Sequence, residues 1–399
     1  MRTGRKVLNW LAALVVSVPV LVAVTTASAA DAAPPNLLPL NVTNNSGRGE
    51  QVYLYVVGVN LNTGRLGYVN AGGAFTPWPA GSNPPSPAPD VAIPGPAGGG
   101  TRTLQIPLRL SGRMYMSFGA KLKFFLTPDG LVQPAPWAPG DPNRDILFDW
   151  SEFTYDTGGL YLNTSMVDMF SVPHTVAVTG SNGATHQTGA LIANGRESIF
   201  NAVQGQPGDW AKLIYRRGDG TRLRVLSPLK GIELGLFSST YMDGYINDVW
   251  NTYRGTTLTV VPFENQPGNR FLGRVDGAGN FVFRNTSGAQ VASFAKPSTK
   301  DVFGCDGRLH APNDDVQGPI ARTICAAFHR STLGFIHTQP SLDPSQFYTR
   351  LITDHYSRKM HSRSVDGKAY GFAFDDVGHF ESLVHDGSPT SARITLAPF

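Results

Sequence analysis

The pattern of hydrophobic and polar positions divides the chain near residue 180. Before this point, short runs rich in β-branched and aromatic residues are separated by turn-forming residues, which is typical of β-strands. The strands predicted there cover residues 52–59, 103–110, 113–118, 146–155, 160–170 and 174–178. Residues 77–100 are dense in Pro, Gly, Ser and Ala, and this composition predicts a long surface loop.

Beyond residue 180, helical spacing of apolar positions is interleaved with further strand-like runs. The predicted helices cover residues 197–203, 241–253, 320–328 and 344–356, and the strand-like runs cover residues 257–262, 270–275, 280–284, 369–374 and 393–399. We therefore predict a mainly β fold with an additional α/β region. Residues 36–180 and 366–399 would form a β-barrel or sandwich domain. Residues 181–365 would form a mixed α/β domain, and a groove between two such units suits a polymeric ligand.

The first thirty residues have the pattern of an export signal. Arg2, Arg5 and Lys6 precede an apolar run, and Ala27-Ser-Ala29 offers the small residues of a cleavage site. We predict a signal peptide over residues 1–29 and a secreted, extracellular protein, with an uncleaved membrane anchor as the alternative. The leader supplies three of the four formal positive charges, so net charge gives no case for nucleic acid or an anionic membrane as a partner.

The chain contains two cysteines, Cys305 and Cys325. In an oxidising compartment an even pair favours one disulfide. Closing a loop of about 20 residues contributes on the order of 3 kcal/mol in the chain-entropy model. A metal pair and a cysteine nucleophile are the alternatives, but two ligands do not complete a zinc site and an exported free thiol would oxidise.

Two acidic residues lie on a predicted β-hairpin around Gly158 and Gly159. Glu152 belongs to its first strand and Asp168 to its second. A three-residue loop would place Glu152 opposite Thr164, with Asp168 on the same face, whereas a two-residue loop would reverse that parity. The sequence permits a shared face for the two carboxyls without fixing it.

Such a pair suits inverting glycoside hydrolysis. One protonated carboxyl donates to the leaving oxygen, and a carboxylate roughly 6.5–9.5 Å away activates water on the opposite side of the sugar. We expect apolar neighbours, namely Trp150, Phe153 and Met166, to raise the pKa of the acid. Carboxylates that merely face solvent are the alternative for this hairpin.

Asp149-Trp-Ser-Glu-Phe-Thr154, followed by Asn163-Thr-Ser-Met-Val-Asp-Met-Phe170, resembles the active-site segment of the laminaripentaose-producing β-1,3-glucanases, glycoside hydrolase family 64. In that family a Glu of the first motif is the general acid, and an Asp sixteen residues later is the general base. The spacing of Glu152 and Asp168 matches. Tyr370-Gly-Phe-Ala-Phe-Asp-Asp-Val377 is similar to the terminal motif of thaumatin-like proteins, whose barrel this family shares.

The resemblance implies a monomeric, inverting β-1,3-glucanase that binds β-1,3-glucan in a wide groove and uses neither cofactor nor metal. The expected products are short oligosaccharides such as laminaripentaose, from laminarin or curdlan. The residues expected to bind substrate are Trp150, Thr154, Asn163, Thr164 and Asp376, with Trp78, Trp137, Trp210 and Trp250 as further candidates for stacking on sugars. A position in the core is the alternative for each tryptophan. The competing hypothesis is a non-catalytic, thaumatin-like glucan-binding or antifungal protein.

Overall fold

The computed structural model describes residues 33–399, so the predicted signal peptide at residues 1–29 lies outside the described residues. The described chain forms 24 strands and six α-helices. The strands of the first half are β1 (Leu37–Asn44), β2 (Val52–Asn60), β3 (Arg65–Val69), β4 (Phe75–Pro77), β5 (Ser86–Pro87), β6 (Ile93–Pro94), β7 (Thr101–Pro107), β8 (Leu110–Phe118), β9 (Phe125–Thr127), β10 (Gly130–Val132), β11 (Leu147–Asp156), β12 (Gly159–Asn163), β13 (Met169–Phe170), β14 (His174–Gly180) and β15 (Thr185–Thr188).

The later strands are β16 (Ile214–Arg216), β17 (Arg222–Leu226), β18 (Leu258–Val260), β19 (Phe271–Val275), β20 (Phe281–Arg284), β21 (Gln290–Phe294), β22 (Thr338–Gln339), β23 (Leu383–Asp386) and β24 (Pro389–Leu396). The helices are α1 (Gly195–Gln204), α2 (Pro228–Glu233), α3 (Asp243–Gly255), α4 (Thr299–Gly304), α5 (Gln317–His329) and α6 (His355–His361), with short 3-10 helices at Gly208–Leu213, Gly307–Leu309 and Pro344–Gln346.

Two sheets pack face to face around one apolar core. The first has the order β15-β14-β24-β1-β7, and the second has the order β23-β12-β11-β8-β2-β3-β4, with β6 added to β2. Side chains alternate along each strand, so one face of both sheets fills this core. β1 pairs in parallel with β24, which returns the end of the chain to its first strand. Among the described residues, no sheet closes on itself.

The other face of the larger sheet contributes to a second core. Phe148 and Trp150 of β11 and Tyr115 of β8 belong to the same apolar cluster as residues of α1, α3 and α5. The small sheet β13-β17-β16 and the sheet β21-β20-β19-β18-β22 belong to this part of the molecule. β11 therefore lies between two apolar cores, which fixes the direction of each of its side chains.

A tight hairpin joins β11 to β12. Asp156 pairs with Gly159, so the loop contains only two residues, Thr157 and Gly158. Gly159 has a φ of 105°, and a Cβ at this position would lie 2.0 Å from the carbonyl oxygen of Asp386. Both the conformation and the space thus require glycine. With this loop, Glu152 lies opposite Asn163.

Most of the predicted elements are confirmed. The mainly β character holds, and strands or helices occur at most of the expected positions, including α1, α3 and α5. The pairing of Cys305 with Cys325 is also confirmed, with their Cα atoms 5.6 Å apart. In the part of the chain that the structure describes, no helix is both long and apolar enough to span a membrane.

Three predictions of helices or strands are wrong. The helix expected at residues 344–356 is interrupted, because Tyr348 has a φ of 57° and donates its N–H to the carbonyl of Arg330 instead. The alternating run at 369–374 forms turns, in which Gly371 donates its N–H to Asp375. The long strand expected at 160–170 ends at Asn163, and its continuation is a separate strand, β13.

The region expected to be a loop, residues 77–100, contains the short strands β5 and β6 and buries Trp78 and Ile93. The boundaries of the two predicted domains, residues 36–180 with 366–399 and residues 181–365, stay a prediction. The apolar cluster that contains Trp150 also contains residues of α3 and α5, so it crosses the predicted boundary.

Candidate active site

Glu152 lies in the middle of β11, on the face that points away from the sandwich core. The register places it directly opposite Arg113 of β8 on one side and Asn163 of β12 on the other. Directly opposed residues share a face and have close Cβ atoms. Accordingly, Arg113 Nε and Nη2 lie 3.1 and 3.0 Å from Glu152 Oε1. The Glu152 side chain is 13% exposed, so it is accessible at the surface of a largely buried site.

Asp168 contacts the same guanidinium from a segment that is neither strand nor helix. It lies in the irregular segment between β12 and β13. Its Oδ2 is 3.9 Å from Arg113 Nη2, and its Oδ1 is 3.3 Å from Lys230 Nζ of α2. Asp168 is 20% exposed. One cation therefore contacts both carboxyls, and a second cation contacts Asp168.

The shared guanidinium limits the distance between the two carboxyls. Since Glu152 Oε1 and Asp168 Oδ2 lie 3.0 and 3.9 Å from the same nitrogen, Arg113 Nη2, the two oxygens are at most about 7 Å apart. This limit includes the lower end of the roughly 6.5–9.5 Å range of inverting pairs and also the roughly 5–5.5 Å of retaining pairs. The structure thus brings together the two residues that the sequence predicted, within a limit that is compatible with the carboxyl pairs of glycoside hydrolases.

A buried carboxyl on β11 holds the segment that follows Asp168. Asp149 Oδ2 accepts hydrogen bonds from the N–H groups of Ser171 and Val172 at 2.8 and 2.9 Å. Burial raises the pKa of Asp149 to about 7, against the lowering effect of these N–H groups. The contact ties the backbone just beyond Asp168 to the strand that carries Glu152.

Further hydrogen bonds hold the backbone on both sides of Asp168. The carbonyl of Asp168 accepts from the N–H of Ser227, immediately before α2, at 2.9 Å. The hydroxyl of Tyr356 donates to the carbonyl of Met166 at 2.6 Å, and Met166 N–H donates to the carbonyl of Tyr370 at 2.9 Å. The position of Asp168 therefore depends on residues far from it in sequence.

The surroundings of Arg113 keep it charged. Its guanidinium carbon lies 4.8 Å from the ring of Trp150. Its Nη1 lies 3.4 Å from Gln133 Oε1, which also accepts from the Tyr115 hydroxyl at 2.5 Å. Burial alone would lower the pKa of Arg113, but Tyr115, Glu152 and Asp168 raise it above its ordinary value. The expectation of purely apolar surroundings for Glu152 did not include this guanidinium, which contacts its carboxyl.

The structure places the predicted sugar-binding residues of β11 and β12 around Glu152 with unequal access. Trp150 is only 1% exposed and lies beneath Arg113, so its predicted role as a stacking platform is wrong. Thr154 shares the face of Glu152, and its hydroxyl lies 2.8 Å from that of Ser111. Asn163 Oδ1 is buried without a hydrogen-bond partner among the described residues.

Thr164 is fully buried, and its hydroxyl lies 2.7 Å from that of Ser382. Direct contact with a sugar, as predicted, would require this hydrogen bond to break. Of the other tryptophan candidates, Trp78, Trp210 and Trp250 are buried. Trp137 is partly buried, and Lys230 Nζ lies 4.6 Å from its ring. Most of the tryptophans therefore stabilise the cores.

The two adjacent acids near the C-terminus have different surroundings. Asp375 is buried and forms ion pairs with Arg330 at 3.0 Å and His361 at 2.9 Å. Asp376 has one oxygen without a described partner, and burial raises its pKa to about 6. The prediction selected Asp376 for ligand binding, and this is the carboxyl of the pair that has free hydrogen-bonding capacity.

Sequence reasoning missed several polar groups near the site. Burial raises the pKa of Glu381 to about 8, and its Oε2 has no partner among the described residues. Tyr161 of β12 lies opposite Thr154, and its ring stacks on that of His385 at a centroid distance of 4.0 Å. Tyr161 and His385 are identified by the register of β11, β12 and β23. The sequence alone does not supply this register.

The cluster of possible metal ligands found in the structure does not have the chemistry of a metal site. Among the described residues, Cys305, Cys325 and His329 place three potential ligand atoms within 4.8 Å of one another. The two sulfur atoms are joined in the disulfide and cannot act as thiolates. Near Glu152 and Asp168, the charges are balanced by Arg113 and Lys230.

Comparison with known proteins identifies the family. The family model described as "Beta-1,3-glucanase" (Glyco_hydro_64) matches residues 36–396. The chain belongs to glycoside hydrolase family 64. It is 46% identical over 369 residues to proteins named glucan endo-1,3-beta-glucosidase from Cellulosimicrobium cellulans and Arthrobacter sp.. These alignments cover 92% of this chain and 66% of the relatives, so the chain spans slightly less than two thirds of their length.

Solved structures of family 64 have the same fold. A laminaripentaose-producing β-1,3-glucanase in complex with laminaritetraose is 54% identical, with a TM-score of 0.88 and coverage of 91% of this chain and 99% of that one. A family 64 domain from Clostridium beijerinckii is 26% identical, with a TM-score of 0.76 and coverage of 92% and 100%. The family predicted from the motifs around Glu152 and Asp168 is thus confirmed.

Proposed function

We propose that this family 64 chain is an inverting glycoside hydrolase that cleaves β-1,3-glucan, with Glu152 as general acid and Asp168 as general base. The observation that carries the proposal is the placement of both carboxyls on one guanidinium, that of Arg113. We expect laminarin and curdlan to be cut to short oligosaccharides, with laminaripentaose as a main product.

In this reaction, Glu152 gives its proton to the glycosidic oxygen as the bond to the anomeric carbon breaks. Asp168 removes a proton from a water molecule that attacks the same carbon from the opposite face. The configuration at that carbon is therefore inverted, and one water molecule is consumed per bond. The partial exposure of both carboxyls supports access by a polymer.

The comparisons support the substrate class. The relatives that match most of this chain are named as β-1,3-glucan-cleaving enzymes, and a 54% identical structure contains laminaritetraose. The Thr154–Tyr161–His385 row next to Glu152 offers hydroxyl and aromatic groups, which suit sugar hydroxyls and sugar faces. Asp376 and Glu381 add acceptors or donors with free capacity.

The proposal includes a cellular setting and an architecture. We infer that the leader at residues 1–29 exports the protein, which then acts outside the cell as a monomer without a cofactor. We also infer that the two stacked sheets correspond to the thaumatin-like domain of the family, beside a wide groove for glucan. Glucanase activity in the culture medium of producing cells would support export. A monomer mass by light scattering would support the monomeric state.

The direct test is incubation of the purified protein with laminarin and curdlan, followed by chromatography of released oligosaccharides. The matched control is the double variant Glu152→Gln/Asp168→Asn, which keeps the size of both side chains but removes the acid and the base. We expect release by the natural protein and none by the control. Glucan binding by both proteins without any release would instead support a non-catalytic glucan-binding protein and contradict the proposal.

A further inference from the structure

Arg113 creates a conflict with the role assigned to Glu152. A general acid must hold a proton, but two N–H groups of Arg113 point at Glu152 Oε1 at 3.0 and 3.1 Å. Such charge-assisted hydrogen bonds stabilise the ionised carboxylate. The ligand-free arrangement therefore stabilises Glu152 in the form that cannot donate.

The two carboxyls differ in the number of cations that contact them. Asp168 has Lys230 at 3.3 Å in addition to Arg113 at 3.9 Å, whereas the ion pair of Glu152 in the described structure is with Arg113. If Arg113 leaves Glu152, Lys230 still stabilises the ionised form of Asp168. The pair can then hold one proton, and that proton is expected on Glu152.

Other titratable groups lie near this pair. Tyr115 lies beside Arg113 on β8, Tyr370 is within the electrostatic influence of Glu152, and Tyr356 is within that of Asp168. Glu233 lies behind Lys230, at 3.4 Å. Asp376 and Glu381 lie near Tyr370. Burial raises the pKa of each of these tyrosines, so they stay neutral near pH 7.

The geometry around Arg113 allows a small movement towards Asp168. Its remaining polar contacts are long, at 3.4 Å to Gln133 and 3.5 Å to the hydroxyl of Tyr115. The ring of Trp150, 4.8 Å from the guanidinium carbon, supports the group without a directional hydrogen bond. Asp168 Oδ2, at 3.9 Å, is just beyond hydrogen-bond distance.

We propose that Arg113 is a positioning residue that sets the protonation of the catalytic pair: when a glucan enters, Arg113 moves its hydrogen bonds from Glu152 to Asp168, and Glu152 takes up a proton. This inference rests on the proposed function. Glu152 receives the proton from solvent and passes it to the leaving oxygen. Asp168 takes one proton from the attacking water and returns it to solvent, so protons balance over one turnover.

The test compares the pH dependence of kcat/KM, which reports the free enzyme, with that of kcat, which reports the complex. In the natural protein, we expect the alkaline limb of kcat to lie about one pH unit above that of kcat/KM, a tenfold difference in the proton affinity that controls it. In Arg113→Met, the alkaline limb of kcat/KM should rise to that of kcat. Arg113→Lys, which restores a charge with a different shape, should give an intermediate position.

Arg102→Met is the matched control, because it makes the same chemical change at an exposed position of β7. It should leave both limbs in place. If Arg113→Met lowers kcat and kcat/KM by the same factor at every pH, without shifting the alkaline limbs, Arg113 has only a structural role and the proposal fails. If that variant does not fold, coinciding alkaline limbs of kcat and kcat/KM in the natural protein would overturn the proposal by themselves. A natural protein that releases no oligosaccharide would overturn the proposed function as well.

Discussion

The two segments that carry the candidate catalytic residues are built in different ways. β11 places Glu152 by strand register, since two neighbouring strands and two apolar cores determine which way the side chain points. The segment of residues 164–168 places Asp168 without regular hydrogen bonding to a strand. It depends instead on Asp149, Tyr356 and Ser227, which come from three separate parts of the chain.

This difference indicates where precision and adjustability lie. The backbone of a central strand cannot move without shifting the sheet, so the Cα position and the face of Glu152 are fixed. A carboxyl on an irregular segment can be moved by altering single hydrogen bonds. We therefore expect substitutions that contact the segment around Asp168 to change turnover, and changes in β11 that do not contact this segment to change stability alone.

The largest expected effect distinguishes the two carboxyls by role. Glu152→Gln and Asp168→Asn should each lower kcat on laminarin by about 10³-fold, within the range typical of general acids and bases. On an aryl β-glucoside with a good leaving group, Glu152→Gln should recover most of its loss, because that bond breaks without protonation. Asp168→Asn should not recover. Equal recovery by both variants would contradict the assigned roles.

The next effect concerns Asp149, which links the two segments. Asp149→Ala leaves the buried N–H groups of Ser171 and Val172 unpaired, at a cost of about 3 kcal/mol in the free energy of unfolding. It should also lower kcat about tenfold, because the backbone beyond Asp168 loosens. Asp149→Asn, which keeps an acceptor, serves as the control in urea titrations and kinetic assays. An unchanged kcat in Asp149→Ala would show that the hydrogen bonds of Asp149 do not control the position of Asp168.

The pH dependence of stability tests the same segment through His174, at the start of β14. Burial lowers its pKa to about 4, while its Nδ1 lies 2.8 Å from the carbonyl oxygen of Val172. The unfolded chain therefore binds a proton at this histidine more readily than the folded chain does. The contribution of neutral His174 to the free energy of unfolding is complete above pH 6.5 and declines as the pH falls towards 4. The loss should reach about 3 kcal/mol. Urea titrations of His174→Asn should show a flatter dependence between these pH values, and an identical slope would contradict this assignment.

The smallest effect compares two tyrosine hydroxyls. Tyr356→Phe removes the hydrogen bond to Met166, and Tyr155→Phe removes a similar bond to Pro35 on the sandwich side of β11. Each should lower the free energy of unfolding by about 1 kcal/mol. Only Tyr356→Phe should also lower kcat, by a few-fold, because Met166 precedes Asp168 by two residues. Equal kinetic effects of the two changes would remove the distinction between the segments.

The sequence allowed good prediction wherever one local pattern determined the structure. The strand around Glu152 and the helices at α1, α3 and α5 follow from periodic apolar positions. The prediction was wrong where distant contacts dominate: Tyr348 adopts a left-handed conformation bonded to Arg330, and the segment after Asn163 leaves the sheet. Local residue types contain no information about such partners.

For the site, motif resemblance identified Glu152 and Asp168, but not the groups that control them. Arg113 lies in a correctly predicted strand, yet its position opposite Glu152 depends on the register between β8 and β11. The residue type of Trp150 predicts stacking on sugars, but its burial beneath Arg113 excludes that role. Lys230 belongs to a short helix that the sequence pattern did not indicate.

The central claim is that Glu152 and Asp168 act on opposite faces of the same sugar. Proton NMR of the products during the first minutes of laminarin hydrolysis tests it most directly, before the anomers equilibrate. New reducing ends should appear in the α configuration, because direct attack by water inverts the β-linkage. Initial accumulation of the β-anomer would show retention and would contradict the account.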